Sequence, residues 1–252
     1  MLLDIDGVVR RGVDPIPGAG DAVAAIAARG CAFGFVTNNS STTPAETADK
    51  LAAVGVTVSP EQIVTSALVA ADMLAPGTRC LIIGMTGLRG ALAQRGCLSV
   101  EDPAEADAVV VGFDRDIVWD DLRRATMALR RGARFLATND DATFPSPEGL
   151  WPGNGAIVAA LERSSARTAE VAGKPHPPLL LAAARRFGGG RVLFVGDRHD
   201  TDILGAATLG WDSALVLTGV TTPAEVAALQ PPPTYVLQSV ADLLRPPITS
   251  RT

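Results

Sequence analysis

Short apolar runs alternate along this chain with longer stretches whose apolar residues recur at helical spacing. Residues 2–6 predict a short buried strand that ends at Gly7, and residues 31–36 predict a second strand. Further strands are expected at 80–84, 108–112, 134–137, 191–195, 214–217 and 235–237. Strands separated by helices in this way predict βαβ units and a parallel sheet.

The intervening stretches predict the helices, and small or polar residues mark several of their ends. Gly30 is expected to end the first helix, and Ser66 is expected to cap the third. Residues 145–155 are rich in Pro and Gly and predict a loop. The helices are expected at 17–29, from 43 onward, and at 66–74, 86–95, 120–131, 156–164, 178–187, 201–209 and 223–229.

The composition narrows the classes of protein to which the chain can belong. Its 252 residues are 47% hydrophobic and 19% charged, which indicates a globular chain of one large or two modest domains. Aromatic residues at 4% and a net charge of −5 disfavour nucleic-acid binding. No apolar run predicts a membrane span, and Asp4 and Asp6 interrupt the only apolar stretch near the start, so no signal peptide is expected. Three cysteines without a CxxC pair predict a reduced, cytoplasmic protein without a zinc site.

Four polar clusters follow predicted strands or precede predicted helices. They have the sequences DIDG at 4–7, TNNS at 37–40, GKP at 173–175 and GDRHDTD at 196–202. Each cluster alone could be a turn or a helix cap. Ligands of parallel sheets bind beyond the carboxyl ends of the strands, so the four clusters together predict one functional site.

The first cluster has the residues needed for phosphoryl transfer. Asp4 at a strand end is the candidate nucleophile, which would form an aspartyl-phosphate. Asp6 lies two residues later on the same side of an extended chain, where it could protonate a leaving alcohol and then take a proton from water. Gly7 would let backbone N–H groups approach a phosphate closely.

The other clusters supply donors, a positive charge and metal ligands. The Thr37 hydroxyl and the Asn38 backbone are candidate phosphate donors, and Lys174 is the candidate counter-charge for nucleophile and phosphate. Asp197 and Asp202 complete an oxygen-rich site, which predicts Mg²⁺ as the cofactor. A bound divalent cation would offset the repulsion between the carboxylates and an anionic substrate.

The segments DIDGV, VTNNS, AGKP and VGDRHDTDI resemble, in this order, the motifs of the haloacid dehalogenase-like phosphatases. The resemblance implies Asp4 as nucleophile, Asp6 as acid and base, and Thr37 with Lys174 as phosphate ligands. It also implies that Asp4, the Asp6 carbonyl and Asp197 bind Mg²⁺. Asp202 would support this set of ligands.

The spacing of the motifs resembles the class IIA cap branch of that family. One predicted helix separates Gly7 from Thr37, whereas the interval from Thr37 to Lys174 is far longer than one crossover needs. The expected fold is therefore an α/β protein with a doubly wound parallel-sheet core and an inserted, smaller α/β cap domain. The core is expected at 1–77 and 172–252, and the cap at 78–171.

The cap of that branch implies where substrate choice would reside. The loop with Pro145, Ser146, Pro147 and Glu148 is expected to face the active site. Glu148 could accept a hydrogen bond from a substrate hydroxyl or ammonium group, or it could be a solvated carboxylate. The branch also allows a homodimer formed through the cap.

The expected activity is Mg²⁺-dependent hydrolysis of a small phosphorylated metabolite. Glycerol 3-phosphate is favoured among the candidates, because the segments VLTGV and PTYV resemble the bacterial glycerol-3-phosphate phosphatases. One alternative is a phosphotransferase, in which an alcohol replaces water. The other is a catalytically silent metabolite-binding protein on the same scaffold.

Overall fold

The computed structural model describes residues 1–146 and 148–244, and for residues 145 and 146 it describes the backbone alone. Contacts divide the chain into two compact units. The core unit comprises Met1–Thr37, Pro44–Val64 and Lys174–Thr252. The inserted unit comprises Asn38–Thr43 and Thr65–Gly173.

A six-stranded sheet organises the core unit. Its strands are β1 (Leu2–Leu3), β4 (Gly34–Thr37), β5 (Ile63–Thr65), β13 (Leu193–Gly196), β14 (Asp212–Val216) and β15 (Tyr235–Leu237). Their order in the sheet is β15-β14-β13-β1-β4-β5. The pairs of β1 with β13 and β4, and of β14 with β13 and β15, are parallel. A separate hairpin of β2 (Arg10–Arg11) and β3 (Asp14–Pro15) follows β1.

The helices of the core unit bury an apolar side against this sheet. In the first helix, Ala22, Val23 and Ile26 recur at helical spacing and are buried. Gly30, with φ of 68°, follows the end of this helix, as the sequence predicts. The helices are α1 (Ala19–Ala28), α2 (Pro44–Ala53), α7 (Pro177–Arg186) and α8 (Leu204–Thr208), with a π-helix at His199–Ile203 and 3-10 helices at Pro60–Gln62, Val226–Ala228 and Val240–Leu244.

The inserted unit has a second parallel sheet. Its strands are β6 (Arg79–Ile83), β7 (Leu98–Ser99), β8 (Ala108–Val111), β9 (Arg134–Ala137) and β12 (Glu170–Val171), in the order β12-β9-β8-β6-β7. An antiparallel hairpin of β10 (Thr143–Ser146) and β11 (Gly149–Pro152) lies between β9 and β12 in the chain. The helices are α3 (Ser66–Asp72), α4 (Thr86–Gln94), α5 (Trp119–Arg130) and α6 (Asn154–Ser165). All four residues of β8 are buried, which explains its unbroken apolar run AVVV.

Several local predictions are wrong. The strand predicted over residues 2–6 comprises only Leu2–Leu3, because the chain then enters a turn in which the Val8 and Val9 N–H groups donate to the Ile5 carbonyl. Thr65, not Ser66, caps α3: it has extended backbone angles, and its side chain accepts a hydrogen bond from the Leu68 N–H. The predicted loop at 145–155 instead contains most of the β10–β11 hairpin and the start of α6. The predicted helix at 223–229 shortens to the 3-10 turn at Val226–Ala228.

The α/β class with a parallel-sheet core and a second, inserted α/β unit is confirmed. The domain boundaries at 77/78 and 171/172 stay a prediction, and the contact-based division differs from them in assigning residues 65–77 to the inserted unit. Over the described ranges 1–146 and 148–244, no helix is long and apolar enough to cross a membrane.

Candidate active site

Neighbouring strands of the core sheet bring the first and fourth motifs together. Asp4 directly follows β1, and Asp197 directly follows β13, which pairs with β1. The Asp4 N–H donates to the Val195 carbonyl at 2.8 Å. Thr37 is the last residue of β4, on the other side of β1, and is buried. Three of the predicted site residues therefore lie at the carboxyl ends of adjacent strands.

Lys174, in the third motif, contacts residues of the first and fourth motifs. Its Nζ lies 2.6 Å from Asp4 Oδ1 and 2.7 Å from Asp202 Oδ1, and the lysine side chain is only 3% exposed. Asp202 Oδ2 accepts the backbone N–H groups of Asp197 and Arg198, each at 3.1 Å. Asp202 thus anchors both the lysine and the backbone that carries Asp197; its supporting role in metal binding stays a prediction.

Burial and the neighbouring charges shift the pKa values of Asp4, Asp197 and Lys174. Burial raises the pKa of Asp4 well above its usual range; the charge of Lys174 opposes the rise, and Asp202 and Asp197 add to it. Burial and the Asp202 carboxylate raise the pKa of Asp197 to about 7. Burial favours neutral Lys174, but Asp202 and Asp4 raise its pKa above the ordinary value, so the lysine remains charged. One lysine therefore faces three buried carboxyl groups.

This set of oxygen donors fits a divalent cation. Asp4, Asp197 and Asp202 each offer a carboxylate oxygen, and these oxygens lie within 4.8 Å of one another. Among the residues that the structure describes, Asp197 Oδ1 is one of few buried side-chain oxygen or nitrogen atoms without a hydrogen-bond partner. A buried carboxylate oxygen without a donor is unfavourable unless a cation or water meets it. Hard oxygen ligands of this kind suit Mg²⁺.

Asp6 and Gly7 form the turn that follows the strand end. The Asp6 carboxylate is about half exposed and lies 3.1 Å from Arg10 Nε. The Gly7 N–H donates to the Arg10 carbonyl at 2.7 Å, so this N–H is already used within the turn. Gly7 has φ of 81°, and a Cβ on it would lie 2.4 Å from Asp197 Cγ. The glycine is needed here for the turn and for the close approach to Asp197.

Within the inserted unit, a polar network holds Asn38 of the TNNS segment. Asn38 Nδ2 lies 3.1 and 3.2 Å from the two carboxylate oxygens of Asp141. The Asn38 carbonyl accepts hydrogen bonds from Asn139 Nδ2 at 2.8 Å and Ser66 Oγ at 2.7 Å. The backbone of this candidate phosphate loop is therefore fixed by side chains that are distant in sequence. The sequence analysis does not identify Asp141, which is the last residue of the polar segment ATNDD at 137–141.

The candidate specificity loop lies at the tip of the β10–β11 hairpin. The backbones of Pro145 and Ser146 pair with Leu150 and Gly149. Pro147 lies outside the described residues, as do the side chains of Pro145 and Ser146. Glu148 is exposed in the turn. A substrate-facing role for this loop stays a prediction.

Sequence reasoning also missed the turn that follows β14. The Val220 N–H donates to Asp197 Oδ2 at 2.7 Å, and the Thr221 N–H donates to the Asp197 carbonyl at 3.2 Å. The residue types of the segment VLTGV at 216–220 do not indicate this contact. A backbone donor has no side-chain signature, so only the tertiary contact identifies it.

Comparison with known proteins identifies the family of the chain. Residues 1–97 match the family of haloacid dehalogenase-like hydrolases, and residues 171–243 match a HAD-hydrolase-like family. The chain is 36% identical over 248 residues to an acid sugar phosphatase of Staphylococcus aureus (strain USA300), covering 96% of this chain and 95% of that protein. The chain therefore belongs to the haloacid dehalogenase-like hydrolases, and it is a phosphatase.

Solved structures give the same class and architecture. A thermostable NPPase from Geobacillus stearothermophilus matches with a TM-score of 0.89 and 36% identity over 96% of each chain. A glycerol phosphate phosphatase from Mycobacterium tuberculosis, solved in complex with magnesium, matches with a TM-score of 0.90 and 39% identity, covering 97% of this chain and 75% of that one. The predicted Mg²⁺ cofactor agrees with this magnesium complex.

Proposed function

We propose that this phosphatase hydrolyses a small phosphorylated metabolite, with Mg²⁺ as cofactor, through a phosphorylated Asp4. The observation that carries the proposal is the buried cluster in which Lys174 contacts both Asp4 and Asp202, beside Asp197. Buried charges are costly, and a charge cluster at the carboxyl edge of a parallel sheet is typical of a functional site.

In the first step, an Asp4 carboxylate oxygen attacks phosphorus, and the bond from phosphorus to the alcohol oxygen breaks. Asp6 gives its proton to the departing alkoxide, so that the product leaves as an alcohol. Lys174 stays charged beside Asp4 and offsets negative charge on the phosphoryl group. The Thr37 hydroxyl and the Asn38 backbone donate hydrogen bonds to the phosphoryl oxygens.

In the second step, water attacks phosphorus and displaces the Asp4 carboxylate. Asp6, deprotonated by the first step, takes a proton from this water and is restored. The sum of both steps converts a phosphomonoester and water into an alcohol and inorganic phosphate. For this chemistry the Asp6 carboxylate must leave Arg10 and turn towards the substrate oxygen.

The Asp4 and Asp197 carboxylates and the Asp6 carbonyl would bind Mg²⁺, with Asp202 in support. When bound, Mg²⁺ supplies positive charge that reduces the repulsion between Asp4 and an anionic phosphate. The chain would otherwise bring one buried lysine against several carboxylates and a phosphate. A phosphate could not bind well to a cluster with that excess of negative charge.

The proposed substrate is a sugar or polyol phosphate, with glycerol 3-phosphate as the leading candidate. Support comes from the acid sugar phosphatase and glycerol phosphate phosphatase among the similar proteins. A screen of phosphorylated metabolites, read by phosphate release, tests this choice. Repeating the screen with Glu148→Ala tests the hairpin tip: an altered order of kcat/KM among substrates supports a specificity role, and a uniform loss contradicts it.

Replacement of the nucleophile tests the proposed reaction. Asp4→Asn is expected to keep the fold and to lose Mg²⁺-dependent hydrolysis of p-nitrophenyl phosphate by roughly 10³-fold or more, because the variant cannot form the phosphoaspartate. Circular dichroism and the thermal midpoint check the fold. Turnover near the wild-type rate would contradict Asp4 as nucleophile.

A phosphotransferase is the second candidate, because an alcohol could replace water in the second step. Product analysis with added acceptor alcohols separates the two activities. The proposal also retains a core at 1–77 and 172–252 with a cap at 78–171, a cytoplasmic location and a homodimer through the cap. Size-exclusion chromatography with light scattering tests the dimer.

A further inference from the structure

The carboxylate of Asp197 is confined between two glycines of the core unit. A Cβ on Gly219 would lie 1.9 Å from Asp197 Oδ2, and a Cβ on Gly7 would lie 2.4 Å from both Oδ2 and Cγ. Real Cβ atoms do not approach other atoms this closely, so both positions must lack a side chain for Asp197 to keep its orientation. The two glycines therefore leave the space that this orientation of the carboxylate requires.

One hydrogen bond from the turn at 218–221 holds the same carboxylate, and a second holds the Asp197 backbone. The Val220 N–H donates to Asp197 Oδ2 at 2.7 Å, and the Thr221 N–H donates to the Asp197 carbonyl. With Oδ2 bound in this way, the other oxygen, Oδ1, is the buried atom without a partner. The turn thus leaves one defined oxygen available to a cation.

Thr218 fastens this turn to the loop that carries the first motif. Its hydroxyl donates to the Gly7 carbonyl at 2.6 Å. Its own carbonyl accepts a hydrogen bond from Arg11 Nε, in the hairpin that follows Gly7. The position of the turn is therefore coupled to the Asp4–Gly7 segment, which bears two of the candidate metal ligands.

We propose that the 218–221 turn is a positioning element for the metal site. Gly219 and the Val220 N–H lock Asp197 so that Oδ1 faces the cation, and Thr218 keeps the turn in register with Gly7. The inference rests on the metal site of the proposed function. None of the turn residues touches the reacting atoms, so they act through Asp197.

The decisive variant is Gly219→Ala, in which the added methyl group pushes on Asp197 Oδ2. Its backbone lies outside the left-handed region, so alanine is not strained there by its conformation. Titration of the whole protein with MgCl₂ by calorimetry should show binding weakened by roughly 10–100-fold. Saturating MgCl₂ should restore much of kcat. Gly90→Ala is the matched control, because its Cβ would have its nearest neighbour at 3.9 Å.

A second pair of variants keeps the test decisive if Gly219→Ala does not fold. Thr218→Val removes the hydrogen bond to Gly7 with little change in volume, whereas Thr218→Ser retains the hydroxyl. Weaker Mg²⁺ binding in the valine variant and near-normal binding in the serine variant support the inference. Wild-type Mg²⁺ affinity in both Gly219→Ala and Thr218→Val overturns it, as does a loss of folding stability without a change in affinity.

Asp197→Asn distinguishes failure of this inference from failure of the proposed function. If Asp197→Asn weakens Mg²⁺ binding but the turn variants do not, the metal site stands and the positioning element is refuted. If wild-type protein does not bind Mg²⁺, or Asp197→Asn binds it equally well, the metal site of the proposed function is refuted and the inference falls with it.

Discussion

At the scale of single residues, Lys174 is a buried charge with two carboxylate partners. The chain has one other lysine, Lys50, which is exposed on α2. Lys174 instead is buried, and its partners are the carboxylates of Asp4 and Asp202. Taking these charges from water is costly, and their attraction repays the cost only while every partner is present.

Removal of Lys174 is therefore expected to destabilise the protein strongly. Lys174→Met should lower the free energy of unfolding of metal-free protein by about 3–5 kcal/mol, because it leaves Asp4 and Asp202 buried without a counter-charge. Urea titration followed by circular dichroism measures the change. Lys50→Met, the same substitution at an exposed position, should change stability by less than about 0.5 kcal/mol. Equal effects of the two substitutions would contradict the importance of the buried ion pairs.

Sequence reasoning at this scale identifies side chains better than it identifies what holds them. Asp4, Lys174, Asp197 and Asp202 were predicted to share a site, and the structure brings them together. The Val220 N–H was missed, because every residue except proline carries the same donor and only the path of the chain selects one. The exposed pairing of Asp6 with Arg10 was missed because ion pairs across a turn depend on rotamers.

At the scale of elements, predictions failed where two nearby residues could serve the same purpose. Thr65 and Ser66 both have hydroxyl groups suited to a helix cap. The strand β5 places Thr65 in extended geometry at the cap position, while the Ser66 hydroxyl donates to the Asn38 carbonyl.

The hairpin of β10 and β11 was missed because its prolines and glycines indicate a loop unless the pairing partner is known.

An ion pair at the start of β6 predicts a pH dependence of stability. The Asp107 carboxylate accepts hydrogen bonds from Arg79 Nε at 3.0 Å and from Arg79 Nη2 at 2.7 Å, as well as from the Arg79 backbone N–H. These bonds lower the pKa of Asp107 to about 2 in the folded protein. Since an unfolded aspartate titrates near pH 3.9, about the model-peptide value, folding favours the ionised form.

The stabilisation of the folded protein by the Arg79–Asp107 ion pair should therefore be fully present above about pH 4–5. It should be lost as the pH falls towards 2, the pKa of Asp107 in the folded protein. The measurement is the difference in thermal midpoint between wild type and Asp107→Asn across pH 2–7. The difference should be constant near neutral pH and shrink on acidification. A difference that grows at low pH would contradict the lowered pKa. Asp102→Asn serves as a control at a neighbouring loop aspartate without an arginine partner among its described hydrogen bonds and ion pairs.

At the scale of the whole molecule, the chain folds into two α/β units, each built on its own parallel sheet. Buried apolar residues such as Phe35 and Val195 form the core of one unit, and Val109 and Phe135 belong to the core of the other. The buried charge cluster of Asp4, Lys174, Asp197 and Asp202 lies wholly within the core unit. Ligand binding to that cluster should therefore change the stability of the unit that contains it.

Mg²⁺ is expected to stabilise the folded protein, because the unfolded chain has no preformed site. At a free concentration about 100 times the dissociation constant, binding contributes about 2.7 kcal/mol. For a chain of this size, the thermal midpoint should rise by roughly 5–10 °C. Differential scanning fluorimetry with MgCl₂ and then excess EDTA measures the rise and its reversal.

Asp197→Asn provides the control for this experiment, since it removes one candidate ligand and keeps the shape of the side chain. The variant should show little or no rise in the thermal midpoint with MgCl₂. A rise as large as that of the wild type would place the binding of Mg²⁺ elsewhere. Stabilisation by NaCl at the same ionic strength would indicate charge screening instead of a specific site.

The sequence by itself determined the α/β class, the order of the four motifs and the presence of a large insertion after the second motif. Apolar periodicity follows from burial, and residue types such as Asp4 and Lys174 define the chemistry wherever they meet. Only the tertiary structure decided which atoms contact each other: that Lys174 contacts both Asp4 and Asp202, that Asp141 holds Asn38, and that Val220 leaves one oxygen of Asp197 available. These contacts join segments far apart in the chain, and their distances depend on how the strands pair and the helices pack within each unit, which no local pattern specifies.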